Sequence, residues 1–267
     1  MSNNIPQAAS AAVIKAIRDK AVSWSSLKHY DRSPAHYLEY FLHPPEPTPA
    51  MTLGSALHCL ILEPDEFWNR YAVDPGFDRR TKAGKEQWAA FEEANRGKEL
   101  LTSAQYEQIQ RMNGAIREGK AGRLIARCAM RERMLEWEDP ITGIACKGRL
   151  DAYSPADGIA LDIKTTTDAS PKNFPRAVAN YLYHGQAAFY LDGLAAKGIE
   201  VSKFIFLAIE KEPPYAWSIC ICTEGMITAG RALYRGLLDK HAECLERGEW
   251  PGYDDDVAEI DLPRWAA

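Results

Sequence analysis

Residues 148–166 read GRLDAYSPADGIALDIKTT, and this stretch contains the strand pattern and the charged residues from which the fold and the site are predicted. Residues 144–153 and 159–164 have the alternating pattern of strands, and Pro155-Ala156-Asp157-Gly158 lies between them. Proline presets φ in a turn and glycine accepts a positive φ, so the two strands are predicted to form a β-hairpin. Asp151 and Asp162 then lie on neighbouring strands, which brings two carboxylates together.

Lys164 adds a cation to this carboxylate pair. Successive side chains of a strand point to opposite faces, so Asp162 and Lys164 share one face and Ile163 takes the other. Two carboxylates held close together repel each other unless a cation intervenes, and Mg²⁺ prefers oxygen ligands such as Asp151, Asp162 and the backbone carbonyl of Ile163. The pattern predicts a metal-dependent hydrolytic site in which Lys164 orients the nucleophile or stabilises the transition state. An isolated DxK tripeptide is also consistent with a surface salt bridge.

Helical and strand periodicities divide the chain into two parts. Predicted helices span residues 8–19, 24–30, 34–42, 51–62, 85–95, 103–127, 174–196 and 224–247. Predicted strands span residues 134–138, 144–153, 159–164, 203–210 and 215–222, and the last two have the apolar faces of central strands. This order predicts an α/β (α+β) fold with a mixed central β-sheet flanked by helices. We expect one domain over residues 1–267, with a helical part (1–130), a catalytic core (131–250) and an acidic tail (251–267).

Charge and cysteine content limit the classes of partner and site. The net charge of −5 is unlike that of a strongly basic nucleic-acid binder, so any DNA contact must be local. The six cysteines lack CxxC spacing, which argues against a zinc site and favours reduced thiols. The tail residues Asp254, Asp255, Asp256, Glu259 and Asp261 are interpreted as a solvated end.

The sequence predicts a cytosolic protein without a membrane anchor. Residues 1–10 lack the basic and apolar regions of a signal peptide. No apolar run approaches the roughly 18 residues that a membrane span needs.

Three motifs occur in order along the chain: GRLDAY (148–153), LDIKTT (161–166) and QAAFY (186–190). Upstream, MTLGSALH (51–58) ends in His58 on a predicted helix. Together these motifs resemble the motif series of the RecB-type branch of the PD-(D/E)XK nuclease superfamily. From about Trp24 to Trp250 the chain is most similar to RecE-like exonucleases (exodeoxyribonuclease VIII type) of phages and their bacterial hosts. The resemblance implies a restriction-endonuclease-like core with a helical N-terminal elaboration.

The resemblance also implies a set of metal ligands. His58, Asp151 and Asp162 would bind the ion together with the carbonyl of Ile163, and Lys164 would serve the nucleophile. The expected ion is Mg²⁺, and an imidazole ligand would favour Mn²⁺ without excluding Mg²⁺. A lone histidine on an apolar helix is more often a core residue, so His58 depends on the other motifs for its assignment.

Gln186 and Tyr190 lie one helical turn apart in the third motif. By resemblance they would brace the catalytic site or contact the DNA backbone. Two alternatives stay open: they could hold Lys164 or a water, and Tyr190 could be a buried aromatic residue. Glu136 and Glu138 share one face of a predicted strand and could assist the metal if that face is the active one.

A basic cluster leads into the fifth predicted helix and consists of Arg79, Arg80, Lys82 and Lys85. Basic loops bind DNA phosphates through counterion release, independently of base sequence. A solvated loop is an equally good interpretation of the same residues.

The resemblance implies an Mg²⁺-dependent exonuclease that degrades double-stranded DNA from its ends, 5′ to 3′. The single strand left behind would pass to a RecT-like annealing protein, and a homo-oligomeric ring would enclose the DNA. The sequence has no phosphate-binding P-loop and so no motor of its own. Other outcomes remain open: an endonuclease, a single-strand exonuclease, or a catalytically inactive nuclease-like DNA-binding module.

Overall fold

The computed structural model of the protein describes residues 7–253 and 257–262. Asp254, Asp255 and Asp256 of the predicted acidic tail therefore lie outside the described residues, while Glu259 and Asp261 are exposed. Within the described ranges no helix is both long enough and apolar enough to cross a lipid bilayer.

The helices are concentrated in the first half of the chain and on both sides of the sheet. The α-helices are α1 Ala11–Arg18, α2 Trp24–Leu27, α3 Pro34–Leu42, α4 Pro49–Leu62, α5 Phe67–Arg70, α6 Lys82–Ala94, α7 Ser103–Arg117, α8 Lys120–Arg127, α9 Phe174–Asn180, α10 Tyr183–Ala196 and α11 Glu224–Arg247. Short 3-10 helices span Lys28–Asp31, Pro64–Glu66 and Pro155–Asp157. The first turn of α3 is capped, because the Ser33 side chain accepts a hydrogen bond from the His36 N–H.

The strands form one mixed sheet and two short pairs. Their bounds are β1 Gln7–Ala8, β2 Val22–Ser23, β3 Tyr71–Val73, β4 Glu99–Leu101, β5 Met130–Glu138, β6 Ala145–Ser154, β7 Ile159–Thr166, β8 Lys203–Glu210, β9 Trp217–Ile221 and β10 Glu249–Trp250. The main sheet has the order β2-β6-β7-β8-β9, with β5 also paired to β6. Strands β6 and β7 form the predicted hairpin, whose turn contains Gly158 at φ +65°. The predicted mixed sheet flanked by helices is confirmed.

Helices cover both faces of the main sheet. Along β8, Phe204 and Phe206 pack in one apolar cluster while Ile205 and Leu207 pack in another, as expected of a strand with two buried faces. The first cluster joins the sheet to α10 and α11, and the second joins it to α4 and α7. The six cysteines lie in both layers, and none of them forms a disulfide.

Two helices predicted as continuous are each divided into two. The predicted helix 103–127 is α7 followed by α8, because Trp217 packs against Gly119 and donates a hydrogen bond from Nε1 to the Ala115 carbonyl at 2.8 Å. The predicted helix 174–196 is α9 followed by α10, because Leu182 between them takes the left-handed conformation at φ +57°.

Strand β9 was expected to be central and is instead an edge strand. It pairs with β8 on one side, and its residues are half-buried or exposed. Apolar residues on an edge strand pack under neighbouring helices; Trp217, for example, packs against the end of α7. The apolar pattern of β9 therefore reflects the packing of its side chains and does not show where the strand lies in the sheet.

Candidate metal centre

The centre lies where strands β6 and β7 part. Their pairing runs from Ser154↔Ile159 to Ala152↔Leu161, and continuing this register places Asp151 opposite Asp162. Beyond that point β2 takes the edge of β6 that β7 leaves, since β5 occupies the other edge. The Ile163 N–H donates a hydrogen bond to Asp151 Oδ2 at 2.7 Å. The Asp151 carboxylate therefore lies in the gap between the two strands.

His58 reaches this gap from helix α4, on the other side of the sheet from α10. Its Nδ1 atom lies 3.3 Å from Asp151 Oδ2. Burial disfavours the charged imidazolium, but the charge of Asp151, its hydrogen bond to the ring and the charge of Asp162 together outweigh burial and raise the pKa of His58. Burial likewise opposes ionisation of Asp151, yet His58 and Lys164 hold the pKa of its carboxyl below the usual range.

Asp162 and Lys164 form a buried pair on the face of β7 that packs against α10. Lys164 Nζ lies 2.6 Å from Asp162 Oδ2, and their side chains are 14% and 3% exposed. Burial, reinforced by the nearby Asp151 carboxylate, raises the pKa of Asp162 to about 6. Burial lowers the pKa of a lysine, but Asp162 and Asp151 outweigh it and raise the pKa of Lys164. Lys164 is therefore a cation at neutral pH.

Gln186 and Tyr190 of α10 extend the pair into a short hydrogen-bonded chain. Gln186 Nε2 donates to Asp162 Oδ1 at 3.2 Å and lies 3.4 Å from the Tyr190 hydroxyl. The Tyr190 ring is buried against Gly148, where an added Cβ would lie only 2.4 Å from ring atom Cε1. The close approach of helix and strand thus explains the glycine that begins the GRLDAY motif.

Glu132 of β5 is the residue that sequence reasoning missed. It lies opposite Asp151 in the register between β5 and β6, and its side chain is 6% exposed. Its φ of +48° is unusual for a glutamate in a strand. Glu136 and Glu138, the residues that were considered, are exposed farther along the same strand. Alternation places all three glutamates on one face of the strand. Glu132 was missed because the predicted strand began at residue 134, whereas β5 begins at Met130.

The donor set fits a divalent cation. His58, Glu132 and Asp151 each offer a ligand atom, and these atoms lie within 4.8 Å of one another. Glu132 Oε2 and Asp162 Oδ2 are buried and accept no hydrogen bond of good geometry, although each has a cationic side chain within ion-pair distance. One imidazole nitrogen with several carboxylate oxygens suits Mn²⁺ and Mg²⁺.

Two clefts open on either side of this centre. One, of about 480 Å³, is lined by Asp151, Lys164, Gln186 and several cationic and aromatic side chains. The other, of about 560 Å³, is lined by His58 and Glu132, and Arg149 lines both. A larger hollow of about 630 Å³ near Gly158 contains Glu200 as its one charged residue and lies away from the centre.

The predicted basic cluster lies at the start of α6 and lines neither cleft. Arg79 pairs with Asp74 at 2.9 Å, and its guanidinium lies 3.2 Å above the Trp88 ring. Arg80 pairs with Asp78 at 2.9 Å, and Lys82 lies 4.0 Å from Glu86. Lys85 is exposed on α6. The structure therefore brings His58, Asp151, Asp162, Ile163, Lys164, Gln186 and Tyr190 together and leaves these four cations outside.

Comparisons with known proteins agree with the architecture. Residues 23–262 match a family model described as "PDDEXK-like domain of unknown function (DUF3799)". The fold is similar to the crystal structure of a "Putative exonuclease" from Eubacterium rectale, with a TM-score of 0.61 and 14% identity over 95% of this chain and 94% of that chain. At this identity the likeness concerns the fold alone. No curated protein matches the sequence.

Proposed function

The chain belongs to the PDDEXK-like domain family, and from this premise we propose that it is a metal-dependent exonuclease that hydrolyses double-stranded DNA from its ends, 5′ to 3′. One observation supports it above the others: His58, Asp151, Asp162 and Lys164 converge where β6 and β7 part. The family and the fold support a nuclease. The preference for duplex ends and the direction rest on the motif resemblance to RecE-like exonucleases.

In this proposal the chain holds Mg²⁺ or Mn²⁺ through His58, Asp151 and Asp162, with Glu132 and the Ile163 carbonyl as further ligands. An ion bound there would lower the pKa of a coordinated water and would offset the charge that develops on the phosphate. The chain's own task is to hold several carboxylates close together, which costs free energy until a cation is present.

Lys164 acts as a hydrogen-bond donor and not as a general base. Its raised pKa keeps three N–H donors on Nζ, beside the Asp162 carboxylate. A fixed cation at this place stabilises negative charge on the attacking oxygen or the phosphate. Gln186 restrains Asp162 through the hydrogen bond from Nε2, and Tyr190 packs against Gly148 behind it. We assign these two residues to positioning.

We propose two kinds of DNA contact. Lys28, Lys147 and Arg149 line the cleft beside Lys164 and would contact the strand that is cut. The basic segment of Arg79, Arg80, Lys82 and Lys85 would contact phosphates farther along the duplex. A homo-oligomeric ring around the DNA would keep the enzyme on its substrate, and a RecT-like annealing protein would take the single-stranded product.

The test compares wild type with Asp162→Ala and Lys164→Met on end-labelled linear duplex, closed circular duplex and single strand. Reactions contain Mg²⁺, Mn²⁺ or EDTA. Asp239→Ala and Lys240→Met serve as matched controls, since both side chains are exposed on α11. We expect metal-dependent loss of linear duplex only, which falls at least 100-fold in the two site variants and stays unchanged in the controls.

Each outcome assigns one function. Release of 5′ label first supports the proposed direction, and release of 3′ label first reverses it. Cleavage of closed circles identifies an endonuclease, and cleavage of single strands alone identifies a single-strand exonuclease. DNA binding without cleavage in either metal identifies a nuclease-like binding module.

A further inference from the structure

Two tyrosines stack at the junction of α9 and α10. The rings of Tyr181 and Tyr183 have centroids 5.5 Å apart and an interplanar angle of 28°. Residues i and i+2 of a continuous helix do not face each other, so this stack requires the helix to break. Leu182 breaks it with φ +57° and ψ +33°, a left-handed conformation that L-residues other than glycine seldom adopt. Strained backbone of this kind is concentrated at functional sites.

The inner ring of the stack is anchored to the metal centre. Lys164 Nζ lies 4.5 Å from the centroid of the Tyr183 ring, and Phe206 packs beside the same ring at 6.0 Å. Both tyrosines line the cleft that contains Asp151 and Lys164. A phosphate placed for hydrolysis beside Lys164 is therefore close to the tyrosine stack.

The outer ring offers a surface to a ligand. Tyr181 lines the cleft and is 62% exposed, so a ligand in the cleft can reach its side chain. The cations Lys28, Lys147 and Arg149 line the same cleft. Aromatic rings next to a cationic groove are the combination that binds single-stranded nucleic acid, in which each base exposes a face for stacking.

We propose that Tyr181 is a stacking platform for an unpaired nucleobase next to the scissile phosphate. The cleft then receives the cut strand as a single strand, separated from its complement at the duplex end. A base inside a duplex has both faces covered by its neighbours and cannot stack on Tyr181. The cleft volume of about 480 Å³ suits a nucleotide-sized ligand. This inference rests on the proposed nuclease function.

The test is a double-mutant cycle on kcat/KM that combines removal of the ring with removal of the base. Wild type, Tyr181→Ala and Tyr181→Phe are each assayed on a linear duplex with an intact terminus. They are then assayed on duplexes with one abasic residue at the first, second or third position. Tyr253→Ala is the matched control, because Tyr253 is 58% exposed and packs against His36 outside the cleft.

We expect one abasic position to lower kcat/KM of the wild type by about tenfold, the order of base–aromatic stacking. The kcat/KM of Tyr181→Ala on the intact duplex should be lower than that of the wild type by a similar factor. On the duplex with the abasic residue, the kcat/KM of this variant should fall by less than about twofold more. Tyr181→Phe keeps the ring and should behave as wild type, as should Tyr253→Ala.

Two results overturn the inference in distinguishable ways. If the wild type cleaves, and if removing the ring and removing the base lower kcat/KM independently at every position, the stacking platform is refuted. The proposed nuclease function is then unaffected. Absence of cleavage by the wild type refutes the proposed function and the platform together.

Discussion

In the proposed metal centre, the protonation of one buried carboxyl would set when a cation binds. Protons and divalent ions would compete for Asp162, whose pKa is raised to about 6 by burial and by Asp151. Below that pH the carboxyl is mostly protonated, and above it mostly ionised and able to ligate. His58 acts in the same direction, because its pKa is also raised and only neutral imidazole binds metal. Affinity for the ion should therefore rise with pH.

We expect a hundredfold excess of Mn²⁺ over its Kd to raise the melting temperature by about 5–10 °C near pH 8. At the same Mn²⁺ concentration near pH 5 the rise should be smaller, because Asp162 and His58 are then both mostly protonated. Scanning calorimetry with Mn²⁺ and with EDTA at each pH measures the difference. An equal rise at both ends of this range would contradict the assignment of Asp162 as a ligand.

Glu132 is expected to contribute directly to metal affinity. Glu132→Gln keeps the size of the side chain and removes the charge that lies within ligand distance of His58 and Asp151. Titration calorimetry with Mn²⁺ should give a Kd raised by about tenfold. Glu136→Gln makes the same change at an exposed position of the same strand and should leave the Kd unchanged. Equal affinities of the two variants would remove Glu132 from the ligand set.

At the scale of secondary-structure elements, the packing of α10 against β6 depends on the absence of a side chain at Gly148. In Gly148→Ala the new Cβ would meet the Tyr190 ring at 2.4 Å, so helix and strand must separate, and we expect a loss of about 1–3 kcal/mol in the free energy of unfolding. Gly114→Ala in α7 is the matched substitution, since no atom lies within 4 Å of its added Cβ. There we expect a gain of about 0.5–1 kcal/mol from the lower entropy of the unfolded chain.

Urea denaturation of the two glycine variants tests this contrast. If the free energy of unfolding falls in Gly148→Ala and rises in Gly114→Ala, the result supports a close contact that positions Tyr190 and, through it, Gln186. A loss of stability in both variants, or in neither, would show that the approach of α10 to β6 tolerates a methyl group.

The proposed function requires this chain, whose own net charge is −5, to bind polyanionic DNA. Its DNA contacts should therefore be few, and the salt dependence of binding should identify them. Neutralising Lys147 in the cleft should reduce the slope of log K against log salt by about 0.7–1, whereas Lys240→Met on α11 should leave the slope unchanged. Fluorescence anisotropy of a labelled duplex measures the slope in EDTA.

The same titration separates the two interpretations of the basic segment. Arg80→Ala combined with Lys85→Ala reduces the slope if these side chains contact phosphates. An unchanged slope favours the solvated loop, which the ion pair between Arg80 and Asp78 also favours.

Local sequence was sufficient for the hairpin and most of the centre. Side-chain alternation and turn chemistry depend on neighbouring residues, so residues 148–166 predicted β6, β7 and the approach of Asp151 to Asp162. The motif resemblance added His58, whose Nδ1 lies 3.3 Å from Asp151 Oδ2. Strand β8 and helix α11 have the predicted bounds for the same local reason.

Contacts between distant parts of the chain account for the main features that the sequence did not predict. Glu132 enters the centre through the register of β5 on β6, and no local pattern encodes that register. The break at Gly119 depends on Trp217, about a hundred residues later, and the Tyr181–Tyr183 stack depends on a backbone conformation that leucine adopts only when surrounding packing imposes it. Periodicity in the sequence predicts which side chains are buried. It does not predict which distant residues pack against them, and those contacts set the positions of Glu132, Gly119 and the two tyrosines.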